Sequence, residues 1–277
     1  MVFSKTRYIQ LLEQRQIEAA LEYRASFTPD CLYKFFWLNE IRDEDSEQQL
    51  VKANNQRFTT LERNQLWFAL PEYQNDPYEF VGMYLDKDKL ISYGFQREEI
   101  ESIEQMIRNI PICCFVANSS SNLPMWAHYA NNHRGYCVKY KVNNKNAVRS
   151  IMYEPNRIPV ATIFANFITA AKNLDKGIDS IRDVQFYLTL LQEIMFIKHS
   201  SWSSEKEYRI VYPTDKPVEK GLYVDVSSVG LEVKEIICGF KCASNHIVKL
   251  DRIASALKVP CRKCTLSETE FTVFSEV

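Results

Sequence analysis

Ile112-Cys113-Cys114-Phe115-Val116, then Leu123-Pro124-Met125-Trp126-Ala127-His128-Tyr129-Ala130-Asn131, then Gly135-Tyr136-Cys137-Val138-Lys139-Tyr140 is the stretch on which the fold turns. The first run is continuously apolar and reads as a buried strand, the second as a short helix and the third as another strand. Two of the four histidines, one of the four tryptophans and one of the seven glycines fall within the eleven residues from Met125 to Gly135. Aromatic bodies beside titratable imidazoles are the usual material of a small-molecule pocket. Far downstream, Trp202-Ser203-Ser204-Glu205-Lys206-Glu207-Tyr208-Arg209 brings paired carboxylates beside another aromatic. The two segments read as two walls of one site.

Working outward, residues 5–25 read as one helix, with Tyr8, Leu11, Leu12 and Ile17 partly in phase. Leu32–Phe36 and Leu66–Ala69 are strand candidates separated by a helix over Glu44–Ala53. Pro71 ends the second strand, and Gln74-Asn75-Asp76-Pro77 is a turn by composition. Arg97–Arg108 reads as a helix and Val148–Tyr153 as a strand. Residues 160–174 and 180–199 read as helices. The second carries Val184, Tyr187, Leu188, Leu191, Ile194 and Met195 on one face, which is a core stripe. Glu207–Tyr212, Leu222–Val226 and Glu235–Phe240 are strands. Asn245–Leu257 is a helix with Ser244 or Asn245 as its N-cap, and two short strands close the chain. Strands mixed with segregated helices give an α+β fold around one mixed or antiparallel sheet with flanking helices. One domain is expected over 1–277, with a helical extension at 1–30, a core at 31–240 and a closing helix and strands at 241–277.

A hydrophobic share of 46% and a charged share of 25% are those of an ordinary globular protein. With 34 basic and 35 acidic residues the net charge is -1, which argues against a globally basic nucleic-acid binder but leaves room for a local basic groove. No run approaches the roughly 18 apolar residues of a membrane span, and Met1–Arg24 is charged with no signal-peptide core. A cytoplasmic protein without membrane partners is expected. The Asn118-Ser119-Ser120 sequon then has no glycosylation machinery to meet. The eight cysteines read as buried thiols in a reducing compartment. Cys238, Cys242, Cys261 and Cys264 approach zinc-ribbon spacing. Cys238 falls in a strand pattern, however, and the turn glycines of a zinc knuckle are missing, so no metal is expected. No glycine-rich phosphate loop, H-E-x-x-H helix or G-x-S-x-G elbow occurs.

The order Leu32-Tyr33-Lys34-Phe35, Leu66-Trp67-Phe68-Ala69-x-Pro71, Asn75-Asp76-Pro77-Tyr78, Cys114-Phe115, Met125-Trp126-x-His128-Tyr129-Ala130-x-x-His133-x-Gly135-Tyr136-Cys137 and Trp202-x-x-Glu205-x-Glu207-Tyr208-Arg209 resembles the bacterial and phage family called domain of unknown function 2971. Ile236-Ile237-x-Gly239 fits its tail. The resemblance runs from about Leu32 to Gly239 and implies a toxin-like or phage-defence role, with an antitoxin or defence protein as partner. A further resemblance is to the ADP-ribosyltransferase fold, a split sheet. It places Tyr33 and Lys34 on the first strand, Trp67 on the second and Glu205-Lys206-Glu207 as the late carboxylates. Lys34 stands where that fold usually carries histidine or arginine.

This second resemblance implies an enzyme that cleaves NAD or transfers ADP-ribose from it to protein, RNA or DNA. Breaking the nicotinamide–ribose bond develops positive charge on the sugar, which a carboxylate stabilises. Glu207 would bind the ribose and Glu205 orient or deprotonate the acceptor, sharing a face if both lie on a strand. Trp67, Trp126 or Tyr129 would stack on nicotinamide. Lys34 and Arg209 would hold the diphosphate, with Tyr33, Asn75 and Asp76 lining the cofactor site. His128 would hydrogen-bond the ribose or act as acid or base. Two rival readings stand beside it. One is a metal-dependent nuclease or hydrolase built on His128, His133, Asp76 and the two glutamates. The other is a non-catalytic nucleotide sensor. Each residue also has a plain counterpart: Glu205, Glu207 and Arg209 as a surface ion pair, Trp126 as core, Asn75-Asp76-Pro77 as a turn only.

Overall fold

The computed structural model describes residues 3–43, 46–117, 122–174, 176–178, 180–216, 218–269 and 273–275. Helices α1 (Lys5–Glu13) and α2 (Ile17–Ala25) lead into β1 (Cys31–Phe36). Then follow α3 (Gln48–Glu62), β2 (Gln65–Ala69), β3 (Met83–Tyr84), α4 (Lys87–Ser92) and α5 (Arg97–Arg108). The middle of the chain gives β4 (Ile112–Val116), α6 (Leu123–Tyr129), β5 (Tyr136–Val142), β6 (Arg149–Ser150), β7 (Met152–Glu154) and β8 (Ile158–Pro159). Next come α7 (Ala161–Leu174), α8 (Ile181–Gln192), β9 (Ile197–His199), β10 (Glu207–Val211), β11 (Gly221–Asp225) and β12 (Leu231–Cys238). Helix α9 (Ser244–Leu257), β13 (Cys261–Leu266) and β14 (Val273–Ser275) close the described chain.

The fold is α+β, and its main sheet is mixed: β12 and β13 run parallel, and the other pairs are antiparallel. Strand β4 is the pivot. One edge pairs with β10 from Ile112↔Val211 to Val116↔Glu207. The other edge is shared, with β1 at Val116 and β2 at Ile112. From β1 the sheet continues through β5, β12, β13 and β14, and from β2 it passes to β11. The sheet therefore forks at β4. In the gap, Lys34 Nζ donates to the Cys114 carbonyl at 3.0 Å. It supplies the donor that a neighbouring strand provides elsewhere in a ladder.

Side-chain alternation gives the sheet two working faces. Cys113, Phe115, Tyr136, Val138, Tyr140 and Ile210 pack with Phe58 of α3 and Leu250 and Ile253 of α9. On the other face, Phe35, Val116, Cys137 and Ile237 pack beneath Trp126 of α6, and Ile112 joins the cluster built on α5, α7 and the end of α8. The chain enters β5 through Asn131, Asn132 and His133, all left-handed, with φ of 48°, 51° and 68°.

Several sequence expectations shift. The helix expected over 5–25 breaks at Arg15, whose φ is 61°. The break lets Arg15 bond Asp183 at 2.8 Å and lie over the Phe186 ring. The helix expected at Glu44–Ala53 runs instead from Gln48 to Glu62, its expected start lying outside the described residues. Its polar sequence hides a sparse apolar stripe ending in Phe58 and Leu61. Val148–Tyr153 divides at Ile151: β6 pairs with β10, and β7 runs parallel to β9. The helix expected over 180–199 ends at Gln192, and Ile197–His199 is a strand, because buried Glu193 is drawn to Arg24 and Tyr8. Helix α9 starts after Ala243, with no side-chain cap. The Asn118-Ser119-Ser120 sequon lies outside the described residues. No described helix is long and apolar enough to cross a membrane.

Candidate functional site

Strand β10 carries Glu207 and Arg209 on one face, opposite Val116 and Cys114 of β4. Arg209 is fully buried. Its guanidinium bonds Glu207 Oε1 through Nε at 2.9 Å and Nη2 at 2.7 Å. It also grips both Glu79 oxygens, at 2.7 and 3.0 Å, and the Met195 carbonyl at 2.6 Å. Glu79 arrives on the turn shaped by Asp76, whose Oδ1 accepts from the Tyr78 N–H. Lys198, buried on β9, directs its Nζ to Glu205 Oε2 at 2.8 Å and Glu207 Oε2 at 3.0 Å, with the Trp202 ring beneath it.

Lys198 itself is only 4% exposed, so this ammonium is a desolvated charge held by two carboxylates. Glu205 closes a 3-10 turn, and Lys206 follows in left-handed geometry (φ 48°) before β10 begins. The two glutamates therefore meet through that turn and a shared lysine, not through a common strand face. The Tyr129 hydroxyl of α6 donates to Glu205 Oε1, and Asn75 Nδ2 donates to that hydroxyl at 2.6 Å. Glu79, Glu205 and Glu207 thus share Arg209 and Lys198 as bonded counter-charges, and Lys34 is a further cation in the lining.

These residues surround a cavity of about 140 Å³, lined also by Tyr33, Lys34, Cys114 and Met125. Burial raises the Glu207 carboxyl, but Arg209 and Lys198 overcome it and hold it down to about 2. Burial likewise pulls Lys198 down, yet its two carboxylate partners raise it. Glu79 is raised, first by burial and then by Glu207, which competes for the same guanidinium. Tyr129 is raised by burial and by its bond to Glu205. A depressed carboxyl contributes stability above its unfolded value, and that stability disappears as pH falls through its folded value. Glu79 has the opposite slope. Acid titration of unfolding should show Glu207's contribution fading between pH 4.5 and about 2. Glu207→Gln should flatten that window, and an unchanged profile would remove the assignment.

The structure thus brings Glu205, Glu207, Arg209, Tyr129, Asn75, Tyr33 and Lys34 to one place. Arg209 spends its donors on the carboxylates and a backbone carbonyl. Asp76 is buried in its turn. Trp126 is fully buried, edge-on to Phe35 and stacked with His133. His128 is exposed on α6, away from the cavity lining. Trp67 stands 38% exposed beside Tyr223, on a neighbouring chamber. Sequence reasoning missed Glu79 and Lys198; the one signal was a lone lysine closing the apolar run Ile194–Ile197. Cys238 and Cys261 lie with their sulfurs 3.8 Å apart, while Cys264 packs with Trp126 in another cluster, so the four candidate zinc cysteines do not converge. Among the described residues no group of three or more histidine, cysteine or acidic side chains is arranged to hold a metal ion.

The family model described as Protein of unknown function (DUF2971) matches residues 125–210, from the start of the Met125-Trp126 motif into β10. Neither the curated proteins nor the solved structures contain a match.

Proposed function

We propose that this chain, whose segment matched by the DUF2971 model supplies Tyr129, Lys198, Glu205 and Glu207 to the cavity and Arg209 behind Glu207, uses NAD as a substrate, cleaving its nicotinamide–ribose bond or passing ADP-ribose to an acceptor. The observation that carries this reading is the desolvated Glu207 carboxylate beside the less constrained Glu205 in a cavity of single-ring size at the fork of the sheet. A cavity of that volume accepts one small aromatic ring. Oxidised nicotinamide is itself cationic, and its departure moves positive charge onto the ribose C1′. A fixed, desolvated negative charge binds that transition state more tightly than it would in water.

In this mechanism the C1′–nitrogen bond breaks and its electron pair leaves with nicotinamide, which becomes neutral. Water or an acceptor oxygen or nitrogen bonds to C1′ and loses its proton to Glu205. Glu205 suits that step because it is the least constrained of the three carboxylates, 11% exposed against 4% for Glu207. Glu207, tied to both cations, holds the local field. Tyr33 and Tyr129 supply flat surfaces for the ring.

The test is to incubate the protein with labelled NAD and measure nicotinamide release and label transfer. Glu205→Gln keeps the shape and most of the hydrogen bonds, so it should lower turnover by about 100-fold or more while leaving the melting temperature within a few degrees. Wild-type protein that neither releases nicotinamide nor transfers label removes the reading.

A further inference from the structure

The fork opens on its other side into a second chamber of about 530 Å³ that shares Lys34, Phe35, Gln74, Cys114 and Tyr129 with the carboxylate cavity. Its charge is not balanced in the same way. No aspartate or glutamate lines it among the described residues, whereas Lys34 and Arg57 do. Arg57 of α3 is partly buried, burial lowers its pKa, and its Nη1 is enclosed with no hydrogen-bond partner. Lys34 touches a backbone carbonyl and lies near the Phe36 and Phe115 rings, and among the described residues neither cation has a carboxylate partner. Enclosed cations without counter-charge are costly, and an anion supplied by a ligand relieves that cost.

The rim adds a second, independent observation. Trp37, Trp67, Tyr73 and Tyr223 are among the exposed large aromatics of the chain, and all four line this chamber. Trp67 and Tyr223 already lie with ring centroids 4.7 Å apart. Aromatic faces beside cations are the surface on which nucleobases stack while their phosphates are neutralised.

We propose that this chamber binds the base and phosphates of a single nucleotide, with Arg57 as the anion anchor and Trp67 with Tyr223 as the stacking platform. The proposal rests on the preceding reading only for the identity of the whole ligand: the nucleotide half here, the ring to be cleaved on the carboxylate side.

The probe is ADP, which lacks the nicotinamide ribose, and binding is followed by calorimetry and by tryptophan fluorescence. Wild-type protein should bind ADP, more weakly as salt is raised. Arg57→Gln should weaken binding at least tenfold, Arg57→Lys less, and Trp67→Ala should weaken it while abolishing most of the fluorescence change. Melting temperatures confirm that each variant is folded. Absence of ADP binding by the wild type, or equal binding by Arg57→Gln, overturns the assignment. So does a single-stranded oligonucleotide that outcompetes ADP at equal phosphate concentration. If ADP binds as described but no nicotinamide is ever released from NAD, the chamber stands and the cleavage reading falls.

Discussion

Replacing Arg209 with methionine is expected to cost on the order of 5 kcal/mol or to abolish folding. The guanidinium is fully buried and is the shared counter-charge of Glu79 and Glu207, besides capping the Met195 carbonyl. Removing it leaves two desolvated carboxylates with only Lys198 nearby, and breaking a buried pair by deleting one partner costs about 3–5 kcal/mol. The loss extends beyond charge, because five donor contacts disappear at once. Lysine keeps the charge but cannot reproduce the fork, so Arg209→Lys should recover only part of the stability. Adding Glu79→Gln to Arg209→Met should recover a further part, since one orphaned charge is removed. Urea unfolding of the four proteins measures this directly. An Arg209→Met midpoint within about 1 kcal/mol of wild type would show that the network is not structural.

Gly239→Ala is the second large effect. A Cβ at Gly239 would stand 2.1 Å from the His133 carbonyl oxygen and 3.1 Å from that of Gly135. Both obstacles are backbone, and both are fixed: Gly239 N–H donates to Gly135 O at 2.9 Å, and Lys241 N–H to His133 O. His133 cannot easily retreat, because it ends the run of three left-handed residues. The end of β12 must therefore separate from the turn entering β5, at a cost of about 3 kcal/mol or more. At roughly 2–4 °C per kcal/mol, the melting temperature should fall by about 10 °C. Gly94→Ala is the control. Unlike Gly239 it has positive φ (93°), but nothing lies within 4 Å, so it should lose only about 1 kcal/mol. Equal losses in the two variants would mean that the turn before β5 yields to the added Cβ and that the collision at Gly239 costs little.

How far the sequence discloses this arrangement depends on the kind of signal. The bounds of Arg97–Arg108 and Ile112–Val116 are legible because one has a strong 3.6-residue period and a capping box and the other is an unbroken apolar run. The α+β class followed from elements of that kind. Glu205, Glu207 and Tyr129 stood out through motif spacing, and the structure joins them. Glu79 and Lys198 did not stand out. Each owes its position to tertiary pairing: Glu79 to a turn whose composition says only that the chain bends, Lys198 to a strand continuing an apolar helix with no break in hydrophobicity. Arg57 was invisible for a related reason. Its helix is polar almost throughout, and a guanidinium is notable only once the absence of acids around it is known.

The fork has a consequence for biosynthesis. Strand β2 must wait for β11, and β4 for β10, while most of the intervening chain is made. At roughly 5–20 residues per second, that delay is seconds to tens of seconds. Throughout it, the free edges of β2 and β4 present unpaired backbone groups beside apolar side chains such as Phe68 and Phe115. Chains stopped short of β10 should be aggregation-prone, and demand for chaperones should peak before Glu205 and Glu207 have left the ribosome.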